Sequence, residues 1–319
     1  MERIFVQIAS YRDPELQSTL TDLFSKAEHP ERITAGICLQ LFPELDHECE
    51  FHVERQHQVR CIRVRANESR GVCWARSLIQ KLWEGEEYTL QIDSHMRFEP
   101  AWDTKMINVL KICPTAKALL TTYPPEYTPP NVLPDECISI MKPSMFDEWR
   151  ILRLESVVIP SANAPLEPFS SALSAACFLF GPSNVISEVP YDPHLYFFGE
   201  EISLTVRLWT HGWNFFHPHI PLLYHRWDRD YRNTHWKDVP SSDNLDTLSR
   251  NRVNHLLGIA SADKYTTIDL EKYGLGKVRS LADYEQFSGI CFQSSSIERY
   301  RFFPNETPTD EEPLEPFSW

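Results

Sequence analysis

Residues 90–95, Leu-Gln-Ile-Asp-Ser-His, decide how the whole chain is interpreted. Apolar residues lead into an aspartate, a small residue and a histidine, which is the pattern of a strand that ends in polar side chains. Because alternate residues of a strand lie on the same side, Asp93 and His95 can face one ion. An Asp-x-His triplet alone is better explained as a surface loop after a core strand. The metal interpretation therefore depends on what other segments supply.

Strands and helices alternate along the first 122 residues, which predicts an α/β fold with a parallel sheet covered on both faces. Strands are predicted at residues 4–9, 33–41, 59–64, 90–93 and 118–122, and helices at 14–27, 72–82 and 102–112. The first helix is predicted to have Asp13 as its N-cap and Pro14 as its first residue. In open α/β sheets, ligands bind beyond the carboxyl ends of the strands. Residues 10–13 and 93–95 both lie at such ends, so we expect them to share one site.

Composition excludes several classes of partner. The chain has 319 residues and a formal net charge of -14, so a nucleic-acid backbone is not expected as a partner. No apolar run approaches the roughly 20 residues of a membrane span, and the first residues show no secretory signal. The 8 cysteines are scattered without a C-x-x-C motif. Buried free thiols and a cytoplasmic protein are therefore expected.

A third metal ligand is expected from a distant segment of the chain. We predict His225, because residues 222–224 have the pattern of a strand that would deliver it, while His217 and His219 compete for the same role. Any one of these histidines taken alone is more often a core or surface residue than a ligand. Because thiolates are absent from the set, Mn²⁺ or Mg²⁺ is favoured over Zn²⁺.

Several residues have the chemistry to bind an anionic ligand. Residues 10–13, Ser-Tyr-Arg-Asp, follow the first strand and open a helix, whose N-terminus suits anions. Tyr11 can stack on a base and Asp13 can bind a base or ribose, although Asp13 is about as well explained as a cap. Arg70 and Arg76 lie at or on a predicted helix with apolar neighbours. Such arginines either extend to solvent or reach toward phosphate or carboxylate.

Two carboxylates follow an apolar-aromatic run at the start of a later helix. Gly199, Glu200 and Glu201 precede the helical spacing of residues 202–209. Acidic residues in a first helical turn suit the helix dipole, which explains them without any function. The functional alternative puts one carboxylate against an acceptor hydroxyl or a sugar.

Taken together, these segments resemble the polypeptide GlcNAc-transferases, a family that includes cytoplasmic enzymes modifying hydroxyproline and protozoan mucin-type enzymes. The resemblance runs from about residue 4 to about residue 227. Its motifs are residues 4–13, Asp93-Ser94-His95, residues 198–201 with Arg207-Leu208-Trp209, and Tyr224-His225. The triplet and the later Gly-Glu pattern are also similar to the polypeptide GalNAc-transferases, which are retaining GT-A enzymes that use a UDP-sugar and Mn²⁺.

The resemblance implies a GT-A fold with a Rossmann-like mixed sheet, in which Asp93, His95 and His225 hold Mn²⁺. It implies that Glu200 and Glu201 face the sugar and the acceptor, as the catalytic carboxylates. The predicted donor-binding residues are Ser10, Tyr11, Arg12, Asp13, Arg70, Arg76, Asp93 and Ser94. The chain departs from the GalNAc-transferases at Ser203, where they carry a further acid, and at residues 96–97, where they carry Cys-Glu.

The predicted function is retaining transfer of GlcNAc from UDP-GlcNAc to a protein Ser/Thr or hydroxyproline hydroxyl, with a glycan or another UDP-sugar as alternatives. The catalytic domain is predicted at residues 1–235, with a nucleotide-binding half to about 122 and an acceptor-side half from 123. Residues 236–319 are predicted as a helical or irregular extension packed on that domain, with a loose tail from 305.

Two other classes of protein would also account for some of these residues. A glycoside hydrolase would use Glu200 with a second acid at about 5–10 Å and no metal, and the metal motif argues against it. A non-catalytic carbohydrate-binding protein would keep the fold without turnover, and an intact set of metal ligands argues against that.

Overall fold

The computed structural model describes residues 2–239 and 242–300. The loose tail predicted from residue 305 lies outside these described residues. The strands in them are β1 (Ile4–Tyr11), β2 (Ile33–Leu41), β3 (Val59–Arg65), β4 (Tyr88–Asp93), β5 (Met96–Phe98), β6 (Ala118–Thr121), β7 (Cys137–Phe146), β8 (Leu152–Pro160), β9 (Phe169–Ser171), β10 (Phe178–Pro182), β11 (Asn214–His217), β12 (Leu223–His225), β13 (Ile290–Cys291) and β14 (Ser296–Ile297). The α-helices are α1 (Leu16–Ser25), α2 (Val72–Ile79), α3 (Trp102–Ile112), α4 (Val185–Glu188), α5 (Glu200–Thr210), α6 (His235–Asp238), α7 (Ser242–Leu256), α8 (Leu270–Tyr273) and α9 (Leu281–Ser288).

The central sheet has the strand order β3-β2-β1-β4-β10-β6-β11-β9. Strands β3, β2, β1 and β4 are parallel, as the alternation of strands and helices predicts. Strand β10 then inserts antiparallel to both β4 and β6. Because Ala9 pairs with Asp93 in the register of β1 and β4, the segments after these two strands leave the sheet side by side.

Strand alternation divides the core into two apolar layers. In β1, Val6 and Ile8 pack with Leu20 and Trp102 of α1 and α3 on one face of the sheet. Phe5 belongs to the apolar cluster on the other face, together with residues of α2 and α5. The covering of both faces, which the sequence predicts, is confirmed.

Several element boundaries differ from the sequence prediction. Helix α1 begins at Leu16 with Glu15 as its N-cap, so the prediction that it begins at Pro14 is wrong. The Asp13 carboxylate still accepts the N–H of Glu15 at 3.0 Å, which turns the chain before the helix. The strand predicted at residues 222–224 begins one residue later and includes His225, because β12 spans Leu223–His225.

Residues after 242 pack onto the same core rather than forming a separate one. Val253, Leu257 and Tyr284 belong to the apolar cluster that contains Trp209 of α5. The boundary at residue 235 stays a prediction. None of the helices in the described ranges combines the length and apolar composition that crossing a bilayer requires.

Gly199 sets the start of α5, and its replacement by alanine tests that requirement. Its φ of +88° lies in the left-handed region, and an added Cβ would come within 2.9 Å of Val253. Gly85 has a similar φ of +89° but no neighbour within 4 Å, so it is the matched control. We expect Gly85→Ala to lower the free energy of unfolding by about 1–2 kcal/mol, the cost of the backbone conformation. Gly199→Ala should lower it by about 2–4 kcal/mol, because overpacking adds to that cost.

Urea denaturation of both variants measures the difference. Gly199→Ala should lower the free energy of unfolding less in a Val253→Ala background than in the wild-type background, since Val253→Ala removes atoms that the new Cβ meets. Equal losses at the two glycines would show that the contact with Val253 does not restrict this position.

Candidate metal and donor site

A short two-stranded sheet brings distant residues to the end of β4. Strand β12 pairs antiparallel with β5, and His225 lies opposite Met96 in this register. The N–H of Arg226 donates to the His95 carbonyl at 3.1 Å. The rings of His95 and His225 consequently lie edge to face, with centroids 4.6 Å apart.

Asp93, His95 and His225 offer three ligand atoms that lie within 4.8 Å of one another. The Nε2 atom of His225 is 3.2 Å from Oδ2 of Asp93, and that of His95 is 3.8 Å from the same oxygen. The Asp93 side chain keeps 28% exposure, which leaves it open to a ligand. One carboxylate and two imidazoles facing a common point are a suitable donor set for a divalent cation.

The two competing histidines lie elsewhere. His217 is buried on β11, and its Nδ1 is 3.0 Å from the carbonyl oxygen of Thr121. His219 follows β11 and has a buried Nδ1 without a hydrogen-bond partner among the described residues. Neither belongs to the cluster of Asp93, His95 and His225.

The protonation states of the cluster suit metal binding. Burial, followed by the neighbouring His95, lowers the pKa of His225 to about 4. Burial alone would raise the pKa of Asp93, but the His225 hydrogen bond and the charge of Arg76 outweigh it and hold that pKa well below its usual range. Near neutral pH the site therefore presents a carboxylate and a neutral imidazole, the forms that bind metals.

Arg76 of α2 lies behind Asp93 and joins it to Glu200. Its side chain is 2% exposed. One guanidinium nitrogen donates to Oδ1 of Asp93 at 2.9 Å, and another donates to Oε1 of Glu200 at 2.5 Å. The same nitrogen that contacts Glu200 is 3.2 Å from the Tyr191 hydroxyl. The structure thus shows Arg76 between two carboxylates, and its predicted contact with a donor phosphate stays a prediction.

The two glutamates at the start of α5 have different surroundings. Glu200 accepts hydrogen bonds from Arg76 and from the Cys73 thiol, the latter at 2.9 Å, and burial raises its pKa. Glu201 accepts the Tyr123 hydroxyl at 2.5 Å and the N–H of Ala176 at 2.9 Å. Burial raises the pKa of Glu201 to about 7, although both hydrogen bonds oppose this shift.

The end of β1 and the residue after it are held by residues from far along the chain. The Tyr11 hydroxyl donates to Asp238 at 3.0 Å, and Arg12 forms ion pairs with Asp46 at 2.7 Å and Asp238 at 2.8 Å. Ser10 is fully buried, and its hydroxyl has no partner among the described residues. These contacts form a polar cluster at the carboxyl end of β1.

Three other members of the predicted donor set have contacts of their own. Asp13 is fully buried and accepts the Ser94 hydroxyl at 2.7 Å. Arg70 is exposed just before α2, with its guanidinium carbon 6.0 Å from the ring of Trp74. The donor-binding roles of these residues stay predictions.

Sequence reasoning missed the segment after β12 that contacts residues 11–13. Tyr231 and Arg232 both contact Asp13, at 3.2 Å and 3.6 Å, and Asp238 contacts Tyr11 and Arg12. Residues 226–232 alternate arginine and aspartate with aromatic residues directly after His225. That composition, next to a predicted metal ligand, was the available indication.

Comparisons with known proteins agree with this architecture. A protein-family model described as Glycosyltransferase (GlcNAc) matches residues 3–54 and 43–294. The crystal structure of GalNAc-T7 with UDP, GalNAc and Mn²⁺ is similar, with a TM-score of 0.59 and 12% sequence identity, covering 90% of this chain and 57% of that one. This likeness concerns the fold alone, and it confirms the GT-A fold that the sequence predicts.

A second solved structure, S. aureus TarS in complex with UDP-GlcNAc, matches with a TM-score of 0.47 and 12% identity, covering 82% of this chain and 68% of that one. The chain spans 57% of the length of the GalNAc-T7 structure. A search of curated proteins finds no match.

Replacing Arg76 by alanine should strongly destabilise the protein, because Asp93 and Glu200 would lose their shared cation. Breaking a buried ion pair by removing one partner costs about 3–5 kcal/mol, and we expect a loss of free energy of unfolding in this range. The matched control is Arg3→Ala, since Arg3 pairs with Glu87 on the surface, where both side chains are more than 40% exposed. That change should leave the free energy of unfolding close to the wild-type value, because exposed ion pairs contribute little to stability.

Urea denaturation of both variants compares the two losses. The double variant Arg76→Ala with Glu200→Gln should be more stable than Arg76→Ala alone, since it removes one of the two uncompensated charges. A double variant less stable than Arg76→Ala would show that Arg76 does not act through Glu200.

Glu201 should make stability depend on pH in one direction. Its folded-state pKa of about 7 lies above the unperturbed value of 4.5. Glu201 therefore contributes its full stabilisation of the folded protein below pH 4.5, and this stabilisation is lost as pH rises toward 7. Relative to Glu201→Gln, the wild-type protein should lose on the order of 1–3 kcal/mol across this window. Chemical denaturation at several pH values measures the difference, and a flat or rising difference would contradict the assignment.

Proposed function

Because the chain belongs to the Glycosyltransferase (GlcNAc) family, we propose that it transfers GlcNAc from UDP-GlcNAc to a hydroxyl acceptor with retention of configuration. The acceptor is a protein serine, threonine or hydroxyproline, which the resemblance to the polypeptide GlcNAc-transferases supports. The observation that carries the proposal is the cluster of Asp93, His95 and His225 at the carboxyl end of β4.

The donor chemistry of this cluster fits a divalent cation. It has two imidazoles and one carboxylate and no thiolate, which favours Mn²⁺, with Mg²⁺ as the alternative. Asp93, His95 and His225 would hold the ion. When bound, the cation supplies Lewis-acid neutralisation of the negative charge that develops on the departing diphosphate.

The remaining residues act through position and charge. Arg76 keeps the Asp93 carboxylate ionised and directed into the site through its 2.9 Å contact. Tyr11 at the end of β1 and Arg12 directly after it both contact Asp238, and these two residues would contact the nucleotide. Catalysis then depends largely on holding the acceptor oxygen against the anomeric carbon in a fixed geometry.

The two glutamates take different roles in this proposal. Glu201 has a pKa of about 7, which suits exchange of a proton with an acceptor hydroxyl near neutral pH. Glu200 is held by Arg76 and Cys73, so it supports the arginine behind Asp93. This division assigns the acceptor side of the site to Glu201.

A reducing compartment is part of the proposal. The eight cysteines are all free thiols, which is the state that the cytoplasm maintains. A cytoplasmic protein hydroxyl is therefore the acceptor class that we favour over a secreted glycan.

The function is tested by measuring UDP release from a panel of UDP-sugars with Mn²⁺. UDP-GlcNAc should give the fastest release, a chelator should abolish it, and added Mn²⁺ should restore it. Asp93→Asn and His95→Ala should abolish turnover and weaken Mn²⁺ binding in the presence of UDP. Their loss of affinity should exceed the about 10–100-fold that removal of an outer-shell partner costs.

His29→Ala is the matched control for loss of an imidazole, because His29 is partly exposed and pairs with Glu31. It should keep wild-type turnover and metal affinity. Circular dichroism establishes that the three variants are folded. Full activity in excess chelator, or unchanged Mn²⁺ affinity in Asp93→Asn, would sink the proposed metal-dependent transfer.

A further inference from the structure

Asp13 is placed directly behind one of the proposed metal ligands. It follows the last residues of β1, is fully buried, and its Oδ2 is 2.7 Å from Nδ1 of His95. The Ser94 hydroxyl donates to the same oxygen at 2.7 Å. The other oxygen, Oδ1, accepts the N–H of Glu15 at 3.0 Å. The two oxygens of this carboxylate therefore have different partners. Oδ1 contacts the start of the helix, and Oδ2 contacts His95.

We propose that Asp13 is a positioning residue that sets the tautomer of His95, so that its Nε2 presents a lone pair to the site. This inference rests on the proposed metal-dependent function. An ionised carboxylate only accepts hydrogen bonds, so Nδ1 of His95 must carry the proton. In a neutral imidazole the opposite ring atom, Nε2, then has no proton. It lies 3.8 Å from Oδ2 of Asp93. Carboxylate–histidine pairs of this kind orient the ligands of many metal sites and increase their basicity.

The burial of Asp13 favours this role over the donor contact predicted from the sequence. The carboxylate has no exposed surface. The Tyr231 hydroxyl contacts Oδ1 at 3.2 Å, and Arg232 lies 3.6 Å from Oδ2. A base or ribose would have to displace several of these partners to reach either oxygen. The contact with Nδ1 of His95 is among the shortest that the carboxylate makes.

The second histidine of the cluster is held in a different way. The Nδ1 atom of His225 is buried and has no partner among the described residues. Its ring instead packs on Trp227, with centroids 4.0 Å apart, and its backbone N–H donates to the Pro125 carbonyl at 3.0 Å. The nearest carboxylate oxygen to the His225 ring is Oδ2 of Asp93, 3.2 Å from Nε2, and not an oxygen of Asp13. A change at Asp13 should therefore affect the tautomer of His95 and not that of His225.

Asp13→Asn is the informative variant because it keeps the shape of the side chain. The N–H of Glu15 cannot become an acceptor, so the amide oxygen should turn toward it and the amide NH₂ should face His95. Nδ1 of His95 would then have to accept, and its proton would move to Nε2, the atom that faces the site. A corresponding change of aspartate to asparagine in serine-protease triads leaves the geometry intact and imposes the wrong tautomer.

The tautomer is measured in the metal-free protein by long-range ¹H–¹⁵N NMR of the histidine ring nitrogens. The pH should lie well above the ordinary histidine pKa of about 6.5. Wild-type His95 should carry its proton on Nδ1. Asp13→Asn should move this proton to Nε2. Asp13→Ala should abolish the preference of the proton for Nδ1. The His225 resonances should keep their wild-type pattern in both variants.

Mn²⁺ affinity, titrated calorimetrically in the presence of UDP, is the second readout. Both variants should bind Mn²⁺ about 10–100-fold more weakly than wild type, the usual cost of losing an outer-shell partner. Asp103→Asn is the matched control, because Asp103 is 3% exposed and accepts the backbone N–H groups of Glu28 and His29. It should lower thermal stability while leaving the His95 tautomer and the Mn²⁺ affinity unchanged.

The outcomes separate this inference from the proposed function. A proton on Nε2 in the wild-type protein overturns the inference without any variant. So does an Asp13→Asn protein that loses stability like Asp103→Asn but keeps the wild-type tautomer and Mn²⁺ affinity, since Asp13 would then be only a cap for Glu15. A wild-type protein that binds no Mn²⁺ overturns the proposed function. In that case the tautomer measurement still decides whether Asp13 controls His95.

Discussion

The charge on Asp93 is the constraint on which the rest of the site depends. A carboxylate at the end of a core strand has to be compensated, because burying an unpaired charge is costly. Arg76 provides that compensation from α2, and Glu200 then balances Arg76 from α5. The alternating charges connect a strand with helices from two distant parts of the chain. The elements that form the core thereby also hold the Asp93 carboxylate next to His95 and His225.

The sheet topology explains why this compensation occurs where a ligand can bind. Parallel strands β1 and β4 end side by side, so polar residues that follow them meet at one edge. The antiparallel pairing of β12 with β5 then adds His225 to that edge. Tyr231 and Asp238, from the segment after β12, contact Asp13 and Tyr11 at the same edge. The site is thus formed by the ends of strands and by a segment that lies outside the central sheet.

The two carboxylates at the start of α5 show how adjacent residues acquire different chemistry. Successive residues of a helix point in different directions, so Glu200 and Glu201 meet different neighbours. Glu200 meets a cation that is itself buried, and Glu201 meets a tyrosine hydroxyl and a backbone N–H. Burial raises the pKa of both carboxyl groups, and the two hydrogen bonds to Glu201 leave its pKa at about 7. Sequence adjacency therefore does not imply a shared role.

The sequence by itself determined the parallel half of the sheet, because buried strands and amphipathic helices have distinct periodicities that need no long-range information. It also predicted that the side chains of Asp93 and His95 lie close together, because both residues lie at the end of one strand. Only the tertiary structure shows that His225, and not His217 or His219, lies beside them, because the positions of these histidines depend on pairing between strands that are far apart in the sequence. The same holds for Asp13: its spacing indicated a cap, and only the packing of β1 against β4 brings its carboxylate to His95. Contacts between segments are set by sheet order and burial, which local residue patterns do not encode.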